Sequence, residues 1–83
     1  MKLIYFAWVK ERVGSGEEDV TPPASVADVR GLIDWLRGRG DGYARAFADL
    51  RAVRVAVNQE YVGVDCRVSA GDEVAFFPPM TGG

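Results

Sequence analysis

The sequence lacks histidine altogether and contains one cysteine, Cys66. Without histidine, neither a Cys-His nor a Ser-His-Asp nucleophile is possible. A single cysteine excludes an internal disulfide, a Cys-x-x-Cys redox pair and a thiolate metal cage. We interpret Cys66 as a structural or surface cysteine. Its only cationic neighbour in the sequence is Arg67, and one arginine is a weak activator of a thiol. Catalysis by this chain alone is therefore not expected.

The sequence also lacks a basic excess and a long apolar run. Its ten lysines and arginines are scattered and outnumbered by twelve acidic residues, for a net charge of −2. This balance does not predict a nucleic-acid footprint. The apolar segment 3–9 is far shorter than the roughly 20 residues of a membrane span, and no small-residue cleavage site follows it. We therefore expect a cytoplasmic protein with neither nucleic acid nor a membrane as partner.

What the sequence does contain is a composition typical of one small folded domain. Of its 83 residues, 48% are hydrophobic and 27% are charged. A domain of this size buries only about two-thirds of its unfolded surface, so one compact core is its limit.

Hydrophobic periodicity predicts two helices and five strands. Residues 26, 29, 32, 33 and 36 share one helical face, after Ser25 as N-cap and with Asp28 as the third-position acid of a capping box. Apolar residues on both alternating faces predict a central strand over 3–9, and charge then predicts a turn over 10–16. The remaining predicted elements are strands over 17–21, 53–57, 60–62 and 73–77 and a short helix over 43–49.

This order of elements is that of the α+β β-grasp fold, which is the fold of ubiquitin. It predicts a mixed sheet of about five strands packed on one main helix and a short helix, with the last strands beside the first. We expect residues 1–77 to form the domain and residues 78–83 to form an extended, reactive C-terminal tail.

The tail is the most informative segment of the sequence. Pro78 and Pro79 fix their φ angles and predict a stiff spacer. At about 3.1 Å per residue, residues 78–83 would reach roughly 18 Å, enough to enter another protein's active site. Gly82 and Gly83 place no side chain near the terminal carbonyl, so a nucleophile has open access to it. A terminal Gly-Gly alone also fits a frayed end; the proline spacer, the aromatic strand before it and the β-grasp order favour a reactive tail.

Residues 76–83, Phe-Phe-Pro-Pro-Met-Thr-Gly-Gly, resemble the C-terminus of the small subunit of molybdopterin synthase. Residues 5–7 and 9–14 resemble the N-terminus of that family, and residues 56–59 resemble its middle strand and turn. Met80 stands where the family usually has valine; methionine is also apolar and should fill the same partner pocket.

The resemblance implies a sulfur carrier. A ubiquitin-activator-like adenylyltransferase would use ATP to adenylate Gly83, and a sulfur donor protein would convert the adenylate to a thiocarboxylate. The tail, from Pro78 and Pro79 through Met80, Thr81 and Gly82, would then enter the active site of the molybdopterin synthase large subunit. There Gly83 would give its sulfur to the cyclic pyranopterin precursor, building the dithiolene of molybdopterin. By the same resemblance, two small and two large subunits would assemble, and no cofactor is expected to bind this chain.

Other functions remain open at this point. Carriers for thiamine or tRNA thiolation share Gly82 and Gly83, and a ubiquitin-like modifier would join Gly83 to a lysine. A non-catalytic β-grasp binding module is an alternative of another class, because one fold hosts many functions.

The aromatic residues Phe6, Trp8, Phe76 and Phe77 are candidates for docking on partners. Aromatic residues in alternating strands more often belong to the core, so the sequence assigns docking to none of them.

Overall fold

The computed structural model describes residues 1–79. Along the chain these residues form, in order, β1 (Lys2–Tyr5), α1 (Ala7–Val13), β2 (Glu17–Asp19), α2 (Val29–Arg37), α3 (Asp41–Ala46), a 3₁₀ turn (Leu50–Ala52), β3 (Arg54–Val57), β4 (Glu60–Val62) and β5 (Glu73–Phe77).

The five strands form one mixed sheet in the order β2-β1-β5-β3-β4. β5 lies in the middle, parallel to β1 and antiparallel to β3. β2 pairs antiparallel with β1 at one side of the sheet, with α1 between them along the chain, and β3 and β4 form an antiparallel hairpin at the other side. The predicted β-grasp fold is confirmed, including the placement of the last strand beside the first.

The first predicted strand is wrong in its second half. β1 ends at Tyr5, and residues 7–13 form a helix where we expected the end of a strand and a charged turn. The chain changes direction at Ala7, whose φ of 53° lies in the left-handed region. The helix α1 buries Val9 and ends at Gly14, whose φ of 92° is the left-handed cap that glycine accepts readily. A short apolar run such as residues 3–9 does not by itself distinguish a strand from a buried helix.

The main helix begins three residues later than its apolar pattern predicts. Asp28 is the N-cap of α2 and accepts a hydrogen bond from the backbone N–H of Gly31 at 2.8 Å, so it is not the third-position acid of a box capped by Ser25. The backbone N–H groups of Val29 and Arg30 donate to the carbonyls of Cys66 and Val64, at 3.0 and 2.9 Å. The first turn of α2 is thus capped by a side chain and by a neighbouring loop.

The short helix and the β3–β4 hairpin follow the predictions with shifted ends. α3 covers Asp41–Ala46 instead of 43–49, and Phe47 follows it as a core residue. Asn58 and Gln59 both have positive φ, 52° and 70°, which matches the two-residue turn that suits a twisted hairpin.

The core lies between one face of the sheet and the helices. This inner face carries Leu3 and Tyr5 of β1, Val55 and Val57 of β3, and Val74 and Phe76 of β5, all of them buried. The four buried residues of α2 close the core from the other side; they are Val29, Leu32, Ile33 and Leu36.

Neither α1, α2 nor α3 is long and apolar enough to span a bilayer. β5 ends at Phe77, where the sequence placed the end of the domain. The division into a domain over 1–77 and a tail over 78–83 stays a prediction, because most of the tail lies outside the described residues.

Candidate functional site

The tail leaves the fold at the end of β5, the central strand of the sheet. Pro78 and Pro79 follow this strand directly and have no backbone N–H, so they cannot continue its hydrogen-bonded ladder. Because β5 has a neighbour on both sides, its last residues are held by β1 and β3. The backbone N–H of Phe6 also donates to the carbonyl of Phe76 at 3.0 Å. The base of the tail is therefore fixed in direction.

Phe76 anchors this base from the core side of the sheet. Its side chain is fully buried, stacked on Tyr5 at 5.8 Å between ring centroids and meeting Phe47 edge to face at 4.9 Å. Aromatic contacts of this kind add about 0.5–1.5 kcal/mol to the free energy of burial. The docking role considered for Phe76 is thus wrong, because no partner can reach its ring.

Phe77 lies on the opposite, outer face of the sheet. It is half-buried, and its ring centroid lies 5.4 Å from that of Tyr61 on β4. Tyr61 is the most exposed large hydrophobic side chain within residues 1–79, at 79%. The sequence reasoning missed Tyr61 as a surface residue. The short strand β4 lies at an edge of the sheet, where a side chain has a neighbouring strand on one side only.

A shallow groove of about 250 Å³ opens where these side chains meet. We call it the tail-exit groove. It is lined by Arg54, Val55, Tyr61, Val62, Phe77 and Pro79. The groove is mainly apolar and ends at the tail itself, so a protein that binds the tail also meets this surface.

Phe6 adds a second exposed aromatic side chain at the same end of the sheet. It follows β1, which runs parallel to β5, and it is 49% exposed. Exposed aromatic residues beside an apolar groove are typical of protein interfaces. Trp8 is half-buried, with the Arg12 guanidinium 4.4 Å from the centre of its ring. Phe6 and Phe77 therefore remain candidates for docking, and Tyr61 joins them.

Arg54 is the one charged residue that lines the tail-exit groove within the described part of the chain. Arg54 lies directly opposite Phe77 in the β3–β5 register, and one of its guanidinium nitrogens donates to the carbonyl of Arg51 at 3.2 Å. Arg51 forms an ion pair with Asp49 at 3.2 Å. Within residues 1–79, Arg54 forms no ion pair.

A second polar cluster lies on the inner side of the sheet and centres on Glu18. Its carboxylate accepts hydrogen bonds from the hydroxyls of Tyr5 and Tyr43, at 3.0 and 2.6 Å, and from Arg39 at 2.8 Å. Burial raises the pKa of both tyrosines, and the carboxylate adds to that effect. Both carboxylate oxygens of Glu18 accept hydrogen bonds from within the fold, so this cluster joins β2 to β1, to α3 and to the end of α2.

Two of the six residues predicted to form the reactive tail belong to the described part of the chain, and four do not. Pro78 and Pro79 lie at the base of the tail and are half-buried, and their role as a stiff spacer stays a prediction. Met80, Thr81, Gly82 and Gly83 lie outside the described residues, so their roles stay predictions. Cys66 is half-buried, and its thiol donates a hydrogen bond to the carbonyl of Arg67 at 3.4 Å.

The described residues hold no group of three or more cysteines, aspartates or glutamates close enough to bind a metal ion. At this end of the sheet the chain leaves β5 in a fixed direction, beside a mainly apolar groove that Arg54 also lines. Such an arrangement suits the presentation of a chain terminus to a partner protein.

Comparison of sequences places the chain among known proteins. The pattern of the ThiS family matches residues 3–83. A molybdopterin synthase sulfur carrier subunit from Escherichia coli is 40% identical over 83 residues, which cover 100% of this chain and 99% of that protein. One from Haemophilus influenzae is 31% identical with the same coverage.

Comparison of structures finds the same fold in several solved proteins. A Pyrococcus furiosus protein, provisionally described as molybdopterin converting factor subunit 1, has a TM-score of 0.78 at 32% identity, over 95% of each chain. Small archaeal modifier protein 1 of Haloferax volcanii has a TM-score of 0.73 at 28% identity, covering 96% of this chain and 97% of its own. At 18% identity, subunit 1 or 2 in a Helicobacter pylori molybdopterin-converting factor complex shares the fold, with a TM-score of 0.65 and coverage of 99% and 96%.

Proposed function

The chain belongs to the ThiS family, and its relatives in that family are molybdopterin synthase sulfur carrier subunits; from this premise we propose that it carries sulfur on Gly83 to a molybdopterin synthase. The family resemblance inferred from the sequence is confirmed by these relatives. The observation that carries the proposal is the position of the tail. It leaves the central strand through two prolines beside an exposed apolar groove, and it ends in Gly82 and Gly83.

In the proposed cycle, Gly83 alternates between a carboxylate and a thiocarboxylate. A ubiquitin-activator-like adenylyltransferase joins the carboxylate to AMP and releases pyrophosphate from ATP. A sulfur donor protein then supplies the sulfur that displaces AMP. The thiocarboxylate gives this sulfur to the cyclic pyranopterin precursor, and water restores the carboxylate. ATP belongs to the activating enzyme, and this chain contributes only the acyl group.

The large subunit of molybdopterin synthase is the proposed acceptor of the charged tail. Residues 78–83 are long enough to enter a partner's active site, at about 3.1 Å per residue. The small glycines at positions 82 and 83 let the backbone pass a narrow channel. The Helicobacter pylori neighbour, a complex of two subunits, supports a partner of this kind. A cytoplasmic location and an assembly of two small and two large subunits belong to the same proposal.

The experiment that tests the proposal is mass spectrometry of the C-terminal fragment. The full chain is incubated with ATP, the adenylyltransferase and a sulfur donor, and the fragment ions between Met80 and Gly83 are read. Replacement of one oxygen by sulfur at Gly83 is the expected result. Fragment ions are needed because oxidation of Met80 adds nearly the same mass.

A chain that lacks Gly82 and Gly83 is the matched control. Both glycines follow the last strand, so we expect this variant to unfold at the same urea concentration as the full chain. It should form no thiocarboxylate and should support no molybdopterin synthesis with the large subunit. An unmodified Gly83 in the presence of active partners would refute the proposal.

A second candidate function has one observation in its favour. The Haloferax volcanii neighbour is a small archaeal modifier protein, and the same activated Gly83 would form an isopeptide bond with a lysine. In the same experiment this function would appear as conjugates whose mass is the sum of the chain and a target protein, less one water.

A further inference from the structure

Arg54 lies beside the base of the tail, where its side chain can contact a protein that binds the tail. It begins β3 and stands directly opposite Phe77, the last strand residue before Pro78. Directly opposed residues on one face of an antiparallel pair have Cβ atoms about 5 Å apart. The side chain of Arg54 is exposed on the outer face, because Val55, its neighbour along β3, points into the core.

The charge of Arg54 is not neutralised within the described part of the chain. Ion pairs there engage Arg37, Arg39 and Arg51, and Arg54 is in none of them. Within residues 1–79 its side chain donates one hydrogen bond, to the backbone carbonyl of Arg51. A guanidinium has five N–H donors in a planar fork that matches a carboxylate, so most of its donors remain available.

The surface around Arg54 is apolar. Tyr61, Val62, Phe77 and Pro79 line the tail-exit groove with it, and the groove has the volume of one or two side chains. An arginine at the rim of an apolar groove suits a partner segment in which a carboxylate stands beside an aliphatic side chain. The acidic residues Glu17 and Asp19 of this outer face lie on β2, at the opposite edge of the sheet from β4.

We propose that Arg54 binds a carboxylate on the large subunit of the synthase, next to an aliphatic side chain that occupies the tail-exit groove. This inference rests on the proposed function, because it concerns the protein that takes the tail. Pro79 lies in the wall of the groove, and a chain of four residues such as 80–83 spans at most about 12 Å at roughly 3.1 Å per residue. The carboxylate therefore lies at the mouth of the channel that Gly83 enters, and Arg54 sets the orientation in which the tail approaches it.

The test measures binding of the full chain to purified large subunit at several salt concentrations. Arg54→Glu should raise the dissociation constant about tenfold or more, because a like charge then faces the carboxylate. Arg54→Lys should lose less, since it keeps the charge but not the planar fork. The binding of the wild-type chain should weaken with added salt more steeply than that of an Arg54→Gln chain.

Arg30→Glu is the matched control. Arg30 is also exposed, and within residues 1–79 it also forms no ion pair, but it lies on α2, on the other side of the sheet. We expect its dissociation constant to stay within about twofold of wild type. If the large-subunit carboxylate that binds Arg54 is replaced by a lysine or arginine, binding to the Arg54→Glu chain should be restored, and binding to no other variant should improve.

Equal binding by the Arg54→Glu and Arg30→Glu chains would overturn the inference. An Arg54→Glu chain that is impaired only in its adenylation by the adenylyltransferase would overturn it too. Failure of the proposed function is distinguishable, because it would appear as an unmodified Gly83 in the wild-type chain. A thiocarboxylate on Gly83 together with unchanged binding by the Arg54→Glu chain would remove this inference alone.

Discussion

Glu18 connects three parts of the fold through one carboxylate. Burial by itself would raise the pKa of this group, but hydrogen bonds from Tyr43, Arg39 and Tyr5 outweigh it and hold the pKa below its ordinary value. The side chain is 19% exposed, so water screens these bonds only in part. The carboxylate form of Glu18 is therefore the form that stabilises the native state.

Glu18→Gln should lower the free energy of unfolding at pH 7 by about 1–3 kcal/mol, because it replaces bonds to a charged acceptor with weaker ones. The unfolded carboxyl titrates near 4.3 and the folded one below that, so the unfolded chain binds the proton first as pH falls. The stability contributed by Glu18 is therefore present above about pH 5 and is lost as pH falls through the folded pKa.

Urea denaturation of both chains between pH 7 and pH 3 measures this effect. The difference between wild type and Glu18→Gln should be largest at pH 7 and should shrink below about pH 4.3. A difference that stays constant over this range would contradict the assigned role of the charge.

At the scale of the elements, α1 shows where the sequence was insufficient. Residues 3–9 are apolar throughout, which fits a buried strand as well as a strand followed by a helix. Val9 and Val13, four residues apart before Gly14, were a helical signal, but the left-handed turn at Ala7 has no signature in the sequence. β3, which alternates clearly, and β5, which glycine and proline bound on its two sides, were predicted at or near their ends.

The sequence predicts where the tail begins, but it does not predict which aromatic side chains surround the tail. The order of apolar segments fixes β5 as the last strand and therefore Pro78 and Pro79 as the start of the tail. Which face of the sheet each aromatic residue occupies depends on the strand register, which the sequence does not state. Phe76 and Phe77 are neighbours in the sequence, yet one is fully buried and the other lines the tail-exit groove.

The close contact between α1 and α3 depends on a glycine. A Cβ added to Gly42 would overlap the carbonyl oxygen of Arg12, a backbone atom that cannot move aside alone. Gly42→Ala should therefore lower the free energy of unfolding by about 1–3 kcal/mol, since the two helices must separate.

Gly63→Ala is the control for this substitution. Nothing lies within 4 Å of a Cβ added there, and the backbone of Gly63 does not adopt a left-handed φ. Denaturation midpoints of the two variants should differ clearly, with Gly63→Ala close to wild type. Equal midpoints would mean that α1 and α3 are not packed as closely as the structure has them.

At the scale of the whole molecule, stability and docking belong to opposite faces of the sheet. The inner face carries the core and the Glu18 cluster, and the outer face carries Phe77, Tyr61 and Arg54 beside the tail. Because the two sets of side chains are separated by the sheet, substitutions on one face should leave the property of the other nearly unchanged.

Tyr61→Ala tests this separation. Tyr61 is 79% exposed, so its loss should change the free energy of unfolding by less than about 1 kcal/mol, chiefly through its contact with Phe77. Binding to the large subunit should weaken about tenfold, since an aromatic anchor at an interface commonly contributes 1–2 kcal/mol or more. Phe76→Leu should show the converse, a loss of about 1–3 kcal/mol in stability with nearly unchanged binding by the folded chain. The measurements are urea denaturation and titration calorimetry on both variants; if Tyr61→Ala bound the large subunit as tightly as wild type, the docking surface would have to lie on another face of the domain.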